Sequence, residues 1–497
     1  MATRRSFFAA LPLLWLGAAS SPCVRASETR RAVRFQAVRA AILEALAAGK
    51  ATGVAVAVAH DGRIVWEEGF GWANREARLK ATSHTPFCLA SITKPFTTTA
   101  LAALASDGML KLDAPANAYL GPDSLRGPEA DATTVRQLGA HAAGLPSLFE
   151  MYTAGAGVRA PRADEVLGAC GTLAYPPGKV YEYSNIGYAA LGVIASRLTG
   201  LDIGSVITRR VLEPLGLHDS FFDTDRTRLS GAAARYDELD RPIPYYTTAT
   251  PASGELYASA HDLARFAMFN LRNLGKSRYP LLNERWIDEL HAPVLHGPSA
   301  GATTFGWFSG STRSGLPVLF KDGGQPGVST SMYLVPAANL ACLVLTNRTD
   351  DGDLTQTLVD RMVAAVLPEW TTPDTSMNAR RSPFSATREY VGHWSGRLSG
   401  GEANMEFRLE ISASSGASFS LANGPASSIL DLRMEGPAVV GRATGRLDGA
   451  HALRNDAQAL SLKLLTYNGG LTGRLLALAS SPGMLATLPF TASLQPR

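Results

Sequence analysis

The sequence predicts an α+β domain, an antiparallel sheet flanked by helices with a mostly helical subdomain, followed by a small all-β barrel or sandwich. Three observations carry this reading. Apolar strand-like runs stand near both ends of residues 27–370, with helical and loop-rich sequence between them. Residues 371–383 read Thr-Thr-Pro-Asp-Thr-Ser-Met-Asn-Ala-Arg-Arg-Ser-Pro, a linker composition. Beyond them apolar and polar residues alternate over short segments, as in Met405-Glu406-Phe407-Arg408-Leu409-Glu410-Ile411.

From the start of the chain, Arg4-Arg5 precede an apolar stretch over residues 7–16, then small residues and Val24-Arg25-Ala26. Charged start, apolar centre and small-residue end are the pattern of an export signal over residues 1–26. The stretch is too short for a bilayer, which needs about 20 apolar residues. An exported bacterial protein, periplasmic or extracellular and with no stable membrane span, is therefore expected. Thr3-Arg4-Arg5-Ser6-Phe7-Phe8 resembles the twin-arginine pattern but equally fits an ordinary basic start, so the export route stays open.

Residues 31–48 carry apolar residues at helical spacing and end at Gly49. The run Gly53-Val54-Ala55-Val56-Ala57-Val58 and the run Ile64-Val65-Trp66 flank Asp61-Gly62, a strong hairpin signal. Residues 95–107, rich in Ala, Leu and Thr, begin with Pro and are closed by Gly108, the asymmetry of a helix. Strand signals return at residues 316–320, 330–335 and 340–346. We place the first domain at 27–370, a linker at 371–384 and the β-domain at 385–497, with strands centred on Phe419, 430–432, 439–440, 460–465 and 475–478.

Composition excludes several functions. The 497 residues are 46% hydrophobic, enough for real cores and against a disordered chain. Of 47 basic and 43 acidic residues, Arg4, Arg5 and Arg25 lie in the acid-free first 26, so the remainder is nearly neutral. With no long Lys/Arg run, a nucleic-acid partner is not expected. Past Cys23, only Cys88, Cys170 and Cys342 remain, too few and too scattered for a disulfide scaffold, and they read as small buried hydrophobes. No metal-binding pattern occurs, so neither metal nor other cofactor is expected.

Three short patterns carry chemistry. In Ser91-Ile92-Thr93-Lys94, a helix would place Lys94 on the same face as Ser91, ammonium beside hydroxyl, and the helix start offers N–H groups to an oxyanion. Alone, the pattern reads rather as a helix cap with a solvated lysine. Tyr183-Ser184-Asn185 follows the turn Tyr175-Pro176-Pro177-Gly178. There Tyr183 could take a proton and Asn185 hold an amide, or the pair could be a packing aromatic beside a turn residue. Lys321-Asp322-Gly323-Gly324 continues a strand and puts a cation and small residues along a groove, or forms an exposed turn.

Together and in this order, the three patterns resemble the serine β-lactamase and penicillin-binding-protein-like hydrolases, nearest the class C β-lactamase, D-peptidase and esterase branch. Phe87-Cys88-Leu89-Ala90, His141-Ala142-Ala143-Gly144-Leu145-Pro146, Pro214-Leu215-Gly216-Leu217 and Gly324-Gln325-Pro326-Gly327 are similar to that family's phrases as well. The resemblance implies a β-lactamase/transpeptidase-like first domain and a lipocalin-like second one. It implies Ser91 as the acylated nucleophile, Lys94 and Tyr183 as its proton-handling partners, and Asn185 as a contact of substrate and Lys94. Lys321 would orient a substrate carboxylate or hold Tyr183 as phenolate. Gly323 completes the third pattern, and the N–H groups of Ser91 and Gly324 would bind the oxyanion. Asp322 departs from the Thr or Gly of relatives, which argues against the family's usual recognition of a β-lactam carboxylate.

Gly297-Pro298-Ser299-Ala300-Gly301 fits the Gly-x-Ser-x-Gly elbow of another hydrolase class, but its flanks predict neither the strand nor the helix that elbow needs, so it reads as a loop. His141 and His261 could line a site, with a structural role favoured. The expected activity is acyl transfer from an ester, a D-amino-acid peptide or amide, or a β-lactam, to water through an acyl-enzyme. Esterase or D-peptidase activity is favoured, because dedicated β-lactamases usually lack a second domain. The alternative is a non-catalytic envelope protein that binds cell-wall peptides in a retained cleft.

Overall fold

The computed structural model describes residues 34–497 except 122–123, 225–226, 275–280, 299–300, 351–352, 375, 402, 414–415, 423, 446, 448–457 and 482–483. The expected export signal and Ser299 lie outside the described residues. Around Ser299, the two-residue strands Leu295–His296 and Ala302–Thr303 pair with each other, so no helix follows the serine.

The first domain is built on a nine-stranded antiparallel sheet drawn from both ends of its sequence. Gly53–His60 lies between Arg63–Asn74 and Leu340–Thr346, and Val328–Val335 and Pro317–Gln325 follow outward from Leu340–Thr346. The hairpin turn has Asp61 at φ 50° and Gly62 at φ 72°, the pair of left-handed residues that a two-residue connection of this hand requires. Alternation along Gly53–His60 sorts its side chains between two layers. Val54, Val56 and Val58 pack with helices Gln36–Ala47 and Asp353–Val366, while Ala55, Ala57 and Ala59 face the helical subdomain.

The centre of that subdomain is helix Thr93–Ser106, in which every residue from Thr93 to Ala105 is buried. Phe96, Leu101 and Leu104 are each fully enclosed, and burial of such a side chain contributes about 1.5–3 kcal/mol. Two of its buried threonines satisfy their hydroxyls on carbonyls: Thr97 donates to Ala252 at 2.7 Å and Thr98 to Lys94 at 3.2 Å.

The second domain is a closed barrel of eight antiparallel strands between Gly392–Gly400 and Met484–Pro496, which pair with each other from Trp394–Pro496 to Ser399–Thr491. Closure settles barrel against sandwich. Its first and last strands fall outside the strand centres read from sequence. Phe407, Leu409, Phe419 and Phe490 fill its interior, in one continuous apolar cluster with the first domain.

Two features tie the domains more tightly than a linker composition suggests. Arg381–Pro383 pairs with Ser427–Glu435, and Asp374 bridges to Ser311, so the connecting segment is laid against both domains. The barrel sheet also continues into the first domain. Residues 484–487 pair with the Phe149–Thr153 strand, which pairs in turn with Tyr246–Thr248. Among the described residues no single helix is long and apolar enough to cross a membrane. Cys88 and Cys342 are buried as expected, whereas Cys170 is only half-buried, and all three are free thiols.

Candidate active site

The entry to the central helix is a tight turn, Ala90–Ile92, with Ala90 at φ 45°. A residue with a β-carbon rarely adopts that conformation, and the turn aims Ser91 away from the helix body while Lys94 stays on the same side. Ser91 Oγ shares a hydrogen bond of 2.6 Å with Tyr183 Oη and lies 3.1 Å from Lys94 Nζ. Lys94 also donates to the Ser253 carbonyl at 3.0 Å. Its Nζ sits 4.8 Å from the centre of the Tyr183 ring.

Tyr183-Ser184-Asn185 is a loop-to-helix junction. Ser184 caps helix Asn185–Thr199: its hydroxyl accepts from Gly187 N–H at 3.2 Å and donates to the Pro146 carbonyl at 2.8 Å. The Asn185 amide donates to the Leu148 carbonyl at 2.8 Å, and its Oδ1 has no hydrogen-bond partner. The expected contact between Asn185 and Lys94 is absent, because a backbone carbonyl, Ser253, takes that place on the lysine.

His141 belongs to this site as a platform. Its Nδ1 accepts from Ser184 N–H at 3.1 Å, so the neutral ring carries its proton on Nε2, and the ring stacks on Tyr183 at 4.2 Å. Burial first, then the charges of Lys321 and Lys94, hold its pKa well below that of a free imidazole. His261 lies elsewhere: it meets Glu67 at 3.0 Å and stacks on His84, which meets Asp219 at 2.8 Å. Glu67, His84 and His261 are the described residues that come together with metal-capable atoms, and they share no member with the Ser91 cluster.

Strand Pro317–Gln325 completes the site. Lys321 is 1% exposed, with its ammonium 4.3 Å from the Phe308 ring centre and 5.3 Å from that of Tyr183. A side chain at Gly323 would place its β-carbon 2.3 Å from the Leu89 carbonyl oxygen and 3.0 Å from Ser91 N, so only glycine lets the strand come this close to the nucleophile turn. At Gly324 the space is open, with nothing within 4 Å of where a β-carbon would stand. Asp322 corrects the expectation built on it. Successive strand residues point to opposite faces, and its carboxylate accepts from Ser331 Oγ at 2.6 Å, in a recess lined by Asp353 and Gln356. Its side chain therefore points away from the groove, although its charge still reaches Lys321 and Tyr183.

Electrostatics set the resting protonation. Burial, reinforced by the charge of Lys321, pushes Lys94 well below the ordinary ammonium range. Burial lowers Lys321 to about 7, with Asp322 opposing. Tyr183 moves the other way: burial raises its phenol and outweighs the hydrogen bond from Ser91. Burial thus disfavours the phenolate form of Tyr183.

Residues 38–366 match a family model described as Beta-lactamase, two thirds of the chain. The chain belongs to the β-lactamase family. Among curated relatives, Protein flp of Staphylococcus aureus (strain N315) is 26% identical over 305 residues, 60% of this chain and 60% of that protein. The human putative beta-lactamase-like 1 is 27% identical over 318 residues, 61% and 62% of the two chains. The match thus spans about 60% of these relatives' length. Among solved structures, SurE with D-Leu superimposes at TM-score 0.63 and 22% identity, over 92% of this chain and 100% of SurE. A class C beta-lactamase reaches 0.59 at 19% identity, over 67% of this chain and 97% of the other. At such identities the likeness is one of fold, and the first structure shares it over nearly the whole chain.

Proposed function

We propose that this β-lactamase-family protein is an exported serine hydrolase that acts through an acyl-enzyme on an ester or a D-amino-acid amide. The observation that carries the reading is Ser91 Oγ within 2.6 Å of a phenol and 3.1 Å of an amine that burial and the Lys321 charge push toward its neutral form. A neutral amine can accept a proton, which an ordinary lysine at neutral pH cannot. Ser91 Oγ attacks the carbonyl carbon while its proton passes to Lys94 Nζ. The carbonyl oxygen gathers negative charge opposite the N–H groups of Ser91 and Gly324. Collapse breaks the bond to the leaving alcohol or amine, which takes the proton through Tyr183 Oη, and leaves an ester on Ser91. Water then attacks that ester, giving up its proton by the same route, and releases the acid. Asn185 Oδ1 is free to accept from a substrate N–H, and Lys321 offers a cation to a substrate carboxylate.

The preference for an ester or D-amino-acid substrate over a β-lactam is supported by the second domain and by the likeness over 92% of the chain to a structure described with D-Leu. The test is direct. A fluorophosphonate probe should label the full-length protein, and Ser91→Ala should abolish the labelling. Persistence in that variant defeats the assignment of the nucleophile. Turnover of p-nitrophenyl esters and D-alanyl peptides should exceed that of a chromogenic cephalosporin. The reverse order overturns the substrate preference, and binding with no turnover of any of them replaces the hydrolase with a peptide-binding protein.

A further inference from the structure

The junction that presents Tyr183 is fastened from the barrel. Glu182 is 6% exposed, and its Oε1 accepts from Arg474 Nε at 2.5 Å while its Oε2 lies 3.6 Å from Lys463 Nζ. Lys463 and Arg474 stand directly opposite each other on neighbouring barrel strands. Like charges so placed repel, and the sheet tolerates them only with anions at hand. Glu435, within the barrel, accepts from Lys463 at 2.9 Å, and the second anion comes from the other domain, one residue before Tyr183.

Backbone groups reinforce the contact. Thr472 Oγ1 donates to the Ala174 carbonyl at 2.9 Å and Tyr175 Oη to the Lys463 carbonyl at 3.2 Å, both on the turn that leads into Tyr183. On its other side, the Glu182 N–H donates to the His141 carbonyl at 3.1 Å, and His141 stacks on Tyr183. The barrel reaches Asn185 as well: residues 484–487 pair with the strand that follows Leu148, whose carbonyl accepts the Asn185 amide.

We propose that Glu182, Arg474 and Lys463 are positioning residues that fix Tyr183 against Ser91, so that the barrel is part of the catalytic apparatus and more than a packed neighbour. The proposal rests on the acyl-enzyme reading above. A buried ion pair adds little net stability over an apolar contact of the same shape, but it fixes geometry, and a displacement of ~1 Å at a reacting group costs on the order of 100-fold in rate.

The test uses full-length protein with p-nitrophenyl acetate, kcat and KM measured separately and thermal melting followed in parallel. Arg474→Gln and Glu182→Gln should each lower kcat by about 10- to 100-fold with KM little changed. The double variant should be no slower than the slower single one, because both break the same link. Arg474→Lys, which keeps the charge, should recover part of the rate. Should either neutral variant fail to fold, Lys463→Gln, which leaves the Glu182–Arg474 pair in place, serves instead and should lower kcat in the same sense. Wild-type kcat with a reduced melting temperature in the variants that fold overturns the proposal and leaves the network a domain clamp. Failure of the wild type to be labelled by the fluorophosphonate probe defeats the acyl-enzyme reading instead, whatever these variants do.

Discussion

Lys94 and Lys321 behind Ser91, and Lys463 and Arg474 at the barrel contact, are two pairs of cations taken out of water, yet their company differs. Neither member of the first pair forms an ion pair among the described residues; they face a serine, a tyrosine, a phenylalanine ring and a backbone carbonyl. The second pair is answered by Glu182 and Glu435. Burial without a paired carboxylate drives Lys94 and Lys321 toward the neutral amine even with Asp322 opposing at Lys321, whereas Lys463 and Arg474 are held in ion pairs. In one chain the same step, removal from solvent, makes a proton acceptor at one place and a strut at the other.

The contrast is sharpest at Lys94. Lys94→Met should lower kcat/KM for an ester on the order of 10³-fold, the usual range for loss of a positioned base, while calorimetry shows stability unchanged or improved because a polar amine buried without a counter-ion has given way to an apolar side chain of similar length. A marked loss of stability would mean that Lys94 is a structural cation after all.

Lys463→Met should differ by lowering stability as well as rate. It removes the partner shared by buried Glu182 and half-buried Glu435 and should cost about 3 kcal/mol in urea unfolding, the low end for a broken buried pair because Arg474 and Arg381 remain. An unchanged unfolding midpoint would erase the distinction between the two pairs.

The smallest effect belongs to Lys321. With its pKa near 7, it is a cation below that pH and an amine above. For a substrate bearing a carboxylate, kcat/KM should therefore fall, on the order of tenfold, as pH rises through about 7, while a neutral ester lacks this limb. The folded-state value is depressed, so the unfolded chain holds the proton more tightly between about 7 and the ordinary lysine value of about 10.4. Over that window Lys321 makes stability rise with pH, a slope that Lys321→Met should remove. Matching profiles for the charged and neutral substrates would rule out anion binding by Lys321.

Much of this is legible in the sequence because it rests on local rules. Asp61-Gly62 can hardly be anything but a tight hairpin, and alternation from Met405 to Ile411 belongs to a sheet with one wet face. The three short patterns converge on Ser91: two sit where a helix begins, and the third lies along the strand Pro317–Gln325 that passes the nucleophile turn. Read by residue type alone Asp322 stands beside Lys321, although the strand's two-residue period turns its side chain to the opposite face. The partners that no local rule reveals are of two kinds. Ser253 acts through its carbonyl, which every residue possesses, and Glu182 meets Arg474 from 292 positions away. The strands that close the barrel are hidden for a third reason: Gly392–Gly400 is rich in Gly and Ser, and only its pairing with Met484–Pro496 makes it a strand.

The sheet that runs from Met484–Pro496 through Phe149–Thr153 to Tyr246–Thr248 has a consequence for anyone wishing to shorten the molecule. Excising the β-domain at residue 384 would strip Phe149–Thr153 of its neighbour on one side and expose a row of unanswered backbone donors and acceptors, a template for aggregation. The β-lactamase fold here is not a detachable module that happens to carry a barrel.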